Sequence, residues 1–276
     1  MSDDRSEKTA RRVDHYDVHY AHFADRLYRE IRTETHGDDI GRDGWMTAEE
    51  QDLFLSWLEL GPGSRLLDVA CGSGGPALRV VEKTGCTVHG IDLHEQALDH
   101  ARRLSSQKGL AESATFERLD GAGRLPFADG SFDAVVCIDA VNHLPGRRQV
   151  FSEWARILRP GGAVLFTDPI VVTGPLTHEE IAVRASIGFF VFGPPESDAA
   201  LLRQVGLDVV RREDRTENMA TIAARWRAAR QTREHELRSL EGDDAFEGQQ
   251  EFFDVAARTA GEGRLSRFAY LAVKPG

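Results

Sequence analysis

The chain has 276 residues, 41% of them hydrophobic, and a formal net charge of −11. That length predicts one domain with an elaboration, and the apolar share suffices for a sizeable core. The acidic balance argues against non-specific binding to nucleic acid, whose phosphates attract basic surfaces, although a local basic groove is compatible with it.

Residues 1–10 read as a disordered tail. The polar opening, Met1 to Lys8, is no secretory signal. No apolar run reaches transmembrane length, so a soluble, cytoplasmic protein with no membrane partner is expected. Arg11 to Arg32 predicts one or two helices, with Val13, Tyr16, Tyr20, Phe23, Leu27 and Ile31 at three- and four-residue spacing. His15 and His19 share a face, but no acidic set or second cluster completes a metal site, so surface histidines and no metal are expected. His36 to Gly44 is too rich in glycine and aspartate for a helix and predicts a loop. Thr47 and Glu50 then have the spacing of a capping box. The helix they start carries Leu53, Phe54, Trp57 and Leu58 and stops at Gly61-Pro62-Gly63.

From Ser64 strands and helices alternate. Strands are predicted near 65–70, 87–92, 114–119, 132–138 and 163–168, and helices near 76–84, 94–108 and 147–157. This alternation predicts a doubly wound parallel sheet with helices on both faces. Cys71, Cys86 and Cys137 lie in or near its strands with no zinc spacing, so they read as buried thiols. Beyond the fifth strand, Glu179 to Phe192 predicts an apolar helix over the site, Ala199 to Val205 a short helix, and Leu207 to Glu213 a strand. Glu217 to Leu240 predicts one long helix whose arginines form a solvated face. An exposed turn at Glu241 to Asp244, a helix from Phe246 to Ala260 and a strand from Ser266 to Val273 follow.

The most informative stretch is Leu66-Leu67-Asp68-Val69-Ala70-Cys71-Gly72-Ser73-Gly74-Gly75-Pro76. It reads as a buried strand, a turn of small residues and a helix start with proline in its first turn. Such a turn aims free backbone N–H groups at something polar or anionic, which points to a nucleotide-like cofactor. Two cofactors compete. Gly72 to Ala77 can be forced into the dinucleotide pattern G-x-G-x-x-A, and Asp92, closing Val88-His89-Gly90-Ile91-Asp92, can accept from ribose hydroxyls in either case.

The following segments break the tie, because the chain resembles the class I S-adenosylmethionine-dependent methyltransferases. Asp68-x-Ala70-x-Gly72-x-Gly74-Gly75 is similar to the family's first motif, departing at Ala70, where glycine is usual; the small size kept there implies little consequence. Gly90-Ile91-Asp92 resembles its ribose-binding strand end. Phe116 to Ala122 resembles its third strand, Leu125 to Val136 the approach to its fourth, and Leu158-Arg159-Pro160-Gly161-Gly162 the turn before its fifth.

The resemblance implies S-adenosylmethionine as cofactor, S-adenosylhomocysteine as product, and no metal. It implies a Rossmann-like, mostly parallel seven-stranded sheet whose last strand lies antiparallel beside 207–213. Residues 1–60 would form a helical lid on a core of 61–276 with insertions near 169–196 and 217–260. Asp68 would contact the methionine amino group or order the turn, Ala70, Cys71, Gly72 and Gly74 would bind the cofactor through the turn, and Asp139, beyond the fourth strand, would line its methionine end. Asp92 would bind ribose, Leu93 and Ala122 would flank the adenine, and Asp120, followed by Gly121, would accept from its amino group. Tyr16 and Tyr20 would cover the sulfonium, whose charge suits aromatic faces, and Gln51 would reach the cofactor from the next helix.

Tyr16, His36, Trp45 and His143 are the acceptor-binding candidates, Trp45 having core plugging as its alternative. His143, after the fourth strand, is the catalytic acid or base candidate, loop ordering being its alternative. The reading is methyl transfer by in-line displacement to a small molecule. The acidic, aromatic lid slightly favours an amine nitrogen, with hydroxyl or carbon acceptors as alternatives. A cofactor-binding protein that transfers nothing and a nicotinamide-dependent reductase are the other classes. No Asn-Pro-Pro-Tyr-like motif argues for a nucleic-acid or protein substrate. A homodimer is left open.

Overall fold

A computed structural model of the chain describes residue 20 and residues 22–276. Tyr16, His15 and His19 lie outside the described residues. The N-terminal segment contributes α1 (Arg26–His36) and α2 (Ala48–Leu55). The alternating stretch follows as β1 (Arg65–Val69), α3 (Gly75–Thr84), β2 (Thr87–Asp92), α4 (Glu95–Gln107), β3 (Ala114–Arg118), β4 (Phe132–Cys137), α5 (Arg147–Ile157) and β5 (Leu158–Val172). The remainder is α6 (His178–Arg184), α7 (Ser197–Gln204), β6 (Asp208–Asp214), α8 (Thr216–Gln231), α9 (Glu234–Glu241), α10 (Asp243–Gly261) and β7 (Leu265–Val273). Among the described residues no helix is long and apolar enough to cross a membrane.

The seven strands form one sheet in the order β3-β2-β1-β4-β5-β7-β6. The pairs among β1 to β5 are parallel, and β7 runs antiparallel between β5 and β6. Side-chain alternation divides each central strand between two cores. Leu67, Val69, Val135 and Cys137 enter one core with Phe151 and Trp154 of α5. Leu66, Ala134 and Val136 enter the other with Leu78 and Val81 of α3. The three cysteines are buried free thiols. A third cluster joins Tyr28, Ile31 and Trp45 of the N-terminal segment to Ile222, Trp226, Phe246, Phe252 and Phe253 of α8 and α10.

Four elements differ from their sequence-based expectation. The 179–192 helix stops at Arg184: past it the chain turns and runs irregularly, and its backbone groups pair with the core instead, Val191 N donating to Asn142 O and Val172 N to Gly193 O. The 217–240 helix breaks after Gln231, where Thr232 Oγ1 bonds back to Ala229 O and Arg233 leaves helical geometry at φ −117°. Its arginines are not all solvated: Arg230 is buried and paired with Glu241. β5 begins at Leu158, so the expected turn at 158–162 is a register shift within the sheet. The capping box at Thr47 is half made. Thr47 Oγ1 accepts from Glu50 N, but the Glu50 carboxylate is drawn away to Arg267, Arg215 and Asn218.

Candidate active site

The parallel strands end on one side of the sheet, where the chain leaves the neighbouring strands β1 and β4 toward opposite edges, to β2 and to β5. In open sheets of this kind ligands bind beyond those strand ends. After Val69 the chain turns through three left-handed residues, Ala70 (φ 58°), Gly72 (φ 55°) and Gly74 (φ 78°), before α3 starts at Gly75. Cys71 N donates to Ile91 O at 3.1 Å and Gly72 N to Asp92 Oδ2 at 2.9 Å, stitching the turn to the end of β2. Glycine at 72 has a second reason: a Cβ there would stand 2.9 Å from the Tyr20 hydroxyl. The Tyr20 ring also lies against His94, 5.9 Å away.

The acids at the strand ends differ in what they touch. Asp68 is buried, and among the described residues no group donates to its carboxylate. Burial pushes it up to about 7, with Arg42 opposing and Asp92 reinforcing the shift. Asp92 accepts from Gly72 N through Oδ2 and from His94 N through Oδ1. Leu93 beside it is exposed. Asp120 is exposed and accepts from Ala122 N at 2.9 Å, forming a local turn. Gly121 in that turn packs so closely that a Cβ would stand 2.7 Å from Val69 Cγ1. Asp68, Asp92, Asp120 and the residues of the turn are thus brought to one edge.

Asp139 reaches the same edge differently. It too is left-handed, at φ 57°, but its carboxylate is committed. Oδ1 accepts from Arg267 Nε and Thr167 Oγ1, both at 2.7 Å, and Oδ2 from Trp45 N at 2.9 Å. Against the opposing effect of burial, Arg267 and Arg42 hold it below the ordinary carboxylate range. Arg267 is fully buried and also grips both Glu50 oxygens at 2.8 Å. Arg215 adds a 2.7 Å contact to Glu50. Any contact of Asp139 with a bound molecule therefore falls to its backbone.

His143 ends a 3₁₀ turn, Val141–His143, beyond β4. Its Nδ1 lies 2.9 Å from Phe189 O and its ring meets Phe190 edge-on at 4.7 Å. The irregular stretch after α6 therefore folds over this histidine. His36 and Trp45 stand elsewhere, inside the third cluster. His36 is buried edge-on to Trp226 with no hydrogen bond to either ring nitrogen, and burial lowers it to about 4. Trp45 is 6% exposed, stacked near Phe252 and approached by the Arg184 guanidinium at 5.6 Å. Gln51, expected at the cofactor, donates instead to Pro76 O at 2.9 Å and accepts from Arg79. Arg42, Glu50, Thr167, Phe189 and Arg267 were not legible as site residues. They come from five separate segments, and no local spacing marks them.

A family model described as a methyltransferase domain matches residues 67–166, which carry the turn and four of these strand ends. Methyltransferase GfsG of Streptomyces halstedii is 37% identical over 166 residues; the match takes in 58% of this chain and spans 58% of that protein's length. The 27-O-demethylrifamycin SV methyltransferase of Amycolatopsis mediterranei is 33% identical over 207 residues, 72% of this chain and 74% of that protein. Among solved structures, phosphoethanolamine N-methyltransferase 2 of Haemonchus contortus, in complex with phosphomonomethylethanolamine and S-adenosylhomocysteine, aligns with a TM-score of 0.78. It covers 93% of this chain and 60% of that one at 22% identity, a likeness of fold alone. With a named methyltransferase 33% identical and matched over about three-quarters of its length, and a methyltransferase domain model matching residues 67–166, the chain belongs to the class I S-adenosylmethionine-dependent methyltransferases.

Proposed function

We propose that the protein transfers a methyl group from S-adenosylmethionine to a hydroxyl oxygen of a small-molecule acceptor, with His143 as the base that takes the hydroxyl proton. One observation carries this reading. Phe189 O can only accept, so the 2.9 Å contact puts the proton of the neutral ring on Nδ1 and makes Nε2 its basic nitrogen. A hydroxyl needs such a base to become a good nucleophile. The acidic N-terminal segment, which in the sequence favoured an amine, loses that argument in its ion pairs: Asp39 is held by Arg32 and Glu34 by Arg233. The rifamycin relative, named for an O-demethylated compound, supports oxygen. The Haemonchus protein, named an N-methyltransferase, keeps an amine as the second reading.

When bound, the cofactor supplies an electrophilic methyl on a sulfonium. The residues present fit it. Each Asp92 oxygen accepts one backbone N–H, and a carboxylate has about four acceptor sites, so two ribose hydroxyls can be added. Leu93 and Ala122 flank the adenine, and Asp120, with Gly121 behind it, accepts from the amino group. Asp68 takes the ammonium. Ala70, Cys71, Gly72 and Gly74 line the methionine end with backbone, as does Asp139. Tyr20, with Tyr16 before it, closes over the sulfonium. In this reading residues 1–60 act as a lid on the 61–276 core, and they exclude water and hold acceptor and methyl in line. Trp45 and His36, packed against α8 and α10, would act on the acceptor only by holding the lid in place.

The test is His143→Gln with a panel of hydroxyl and amine acceptors and isotopically labelled cofactor. The rate on a hydroxyl acceptor should fall by about 10²- to 10⁴-fold. Affinity for S-adenosylhomocysteine should stay within about twofold, since the histidine serves the acceptor. An unchanged rate in the variant, or labelling of amines alone, would reject the hydroxyl reading.

A further inference from the structure

The loop between α1 and α2 is pinned on two sides. Arg32 grips Asp39 with two 2.9 Å bonds, and Gly41 N donates to Asp39 Oδ1. On the other side Ser73 Oγ of the glycine turn donates to Gly41 O at 2.7 Å. Gly75 packs so tightly below Ile40 that a Cβ would overlap the Ile40 carbonyl. Trp45 N on Asp139 fixes the far end. Arg42 is therefore delivered to the strand ends by a loop with little freedom.

There its Nη2 donates to Ile138 O, just past β4, and stands 3.7 Å from Asp139 Oδ2. Its Nε is buried with no hydrogen-bond acceptor. The charges nearby nearly balance without it. Glu50 and Asp139 are two buried carboxylates, and Arg267 and Arg215 hold them with bonds of 2.7–2.8 Å. Arg42 is then a third cation over two carboxylates, while Asp68 and its neighbour Asp92 are buried acids with no ion pair among the described residues, Asp92 accepting from two backbone N–H groups and Asp68 from none. Arg42 and Asp68 sit at the neighbouring ends of β4 and β1, near enough for the one to be felt at the other, yet no ion pair joins them within 4.0 Å. A buried acid and a buried guanidinium edge held apart match the two ends of an amino-acid zwitterion, which would satisfy both.

We infer that Arg42 binds the carboxylate of the cofactor's methionine end, opposite Asp68 on its ammonium, so that the pair reads the amino-acid head group as a unit. This rests on the cofactor site proposed above. The competing role for Arg42, neutralising Asp139, would affect folding without reference to any ligand group.

Calorimetric binding of S-adenosylhomocysteine and of 5′-methylthioadenosine, which lacks the amino-acid end, separates the two. The wild-type chain should prefer the former. Arg42→Met should weaken S-adenosylhomocysteine by about 30-fold, the range expected for a charge-assisted pair, and leave methylthioadenosine within about twofold. Arg42→Lys should recover part of the loss, because it restores charge without the planar fork. Equal weakening of both ligands, or no weakening, would overturn the inference, as would a wild-type chain that does not distinguish them. A wild-type chain that binds neither would remove the cofactor site itself. Methylthioadenosine binding by the variant doubles as its test of folding.

Discussion

The glycine turn and the Arg267 network lie side by side at the strand ends, yet they are built by opposite means. At the strand ends by the turn, the backbone donors find their partners close by or on the adjacent strand: Ala122 N with Asp120, Cys71 N with Ile91 O, Gly72 N with Asp92. In the network, partners are far apart in the chain: Arg267 and Glu50 are separated by 217 positions, Asn218 and Trp45 by 173, Arg215 and Glu50 by 165. The turn consists of backbone groups paired with one another and with the end of β2, Cys71 N on Ile91 O, Gly72 N on Asp92 and Gly74 N on Cys71 O, at the edge where the cofactor is proposed to bind. The network consists of charges closed upon one another. A mutation in the first should therefore be felt in binding, and one in the second in folding.

Arg267→Met presses that contrast hardest. It leaves Glu50 and Asp139 buried with fewer partners, and breaking a buried pair from one side costs about 3–5 kcal/mol. The thermal midpoint should drop on the order of 10 °C. A drop of only a degree or two would mean that the network is not what holds the N-terminal segment to the sheet. Asp92→Ala is the counterpart. It removes the acceptor for both proposed ribose hydroxyls, and about 3 kcal/mol of binding, or roughly 100-fold, should go with it. Stability should change less than in Arg267→Met, since only two backbone donors at the cleft edge lose their partner. If Asp92→Ala melted the protein while sparing S-adenosylhomocysteine affinity, the division between the regions would be wrong.

The same division explains what could be read in advance. The alternation of strands and helices and the acids at 68, 92 and 120 follow from short-range patterns: apolar runs of five or six residues, glycine where the turn tightens, an acid where a strand stops. The antiparallel last strand is implied by the family resemblance, and the order of the strands comes from the structure. The network follows from no such pattern. Glu50 reads locally as the second half of a capping box, and it is Arg215, Asn218 and Arg267, more than 160 residues on, that draw it away. Arg230 reads as solvated until Glu241 folds back to it. Phe189 and Phe190 read as helix until Asn142 and His143 take their segment's contacts. Where tertiary partners override local preference, one sequence without its partners is silent.

Proton linkage offers a milder test on the binding side. Asp68 faces Arg42 from the N-terminal loop, Asp92 from the end of β2, and the Cys71 and Cys137 thiols of the turn and β4. Burial raises its free-state value to about 7. A bound ammonium lowers it, so binding releases a proton once the pH is below that value. Affinity for S-adenosylhomocysteine should be level just above pH 7 and fall by up to about tenfold per unit below it. In Asp68→Asn the slope should disappear and the affinity at neutral pH should drop. A slope that survives in Asp68→Asn would assign the titration to another group.

The smallest effect tests the contrast most finely, because Ala70 and Asp139 share one strain in the two regions. Both are left-handed without being glycine, at φ 58° and 57°. That geometry costs a residue with a Cβ about 1–2 kcal/mol, which is the physical reason glycine is usual at position 70; alanine there is small enough to fit but still strained. Ala70→Gly removes the strain and gives back about 0.4–1 kcal/mol by loosening the unfolded chain. The variant should melt slightly higher, by less than about 1 kcal/mol, with cofactor affinity unchanged. Asp139→Gly relieves the same strain but takes a carboxylate from Arg267, and it should lose several times what it gains, about 3 kcal/mol or more. Thermal melts of the two variants side by side decide the matter. Opposite signs would mean that backbone strain governs the turn and buried charge governs the network, whereas destabilisation in both would mean that Ala70 also carries contacts beyond its own backbone.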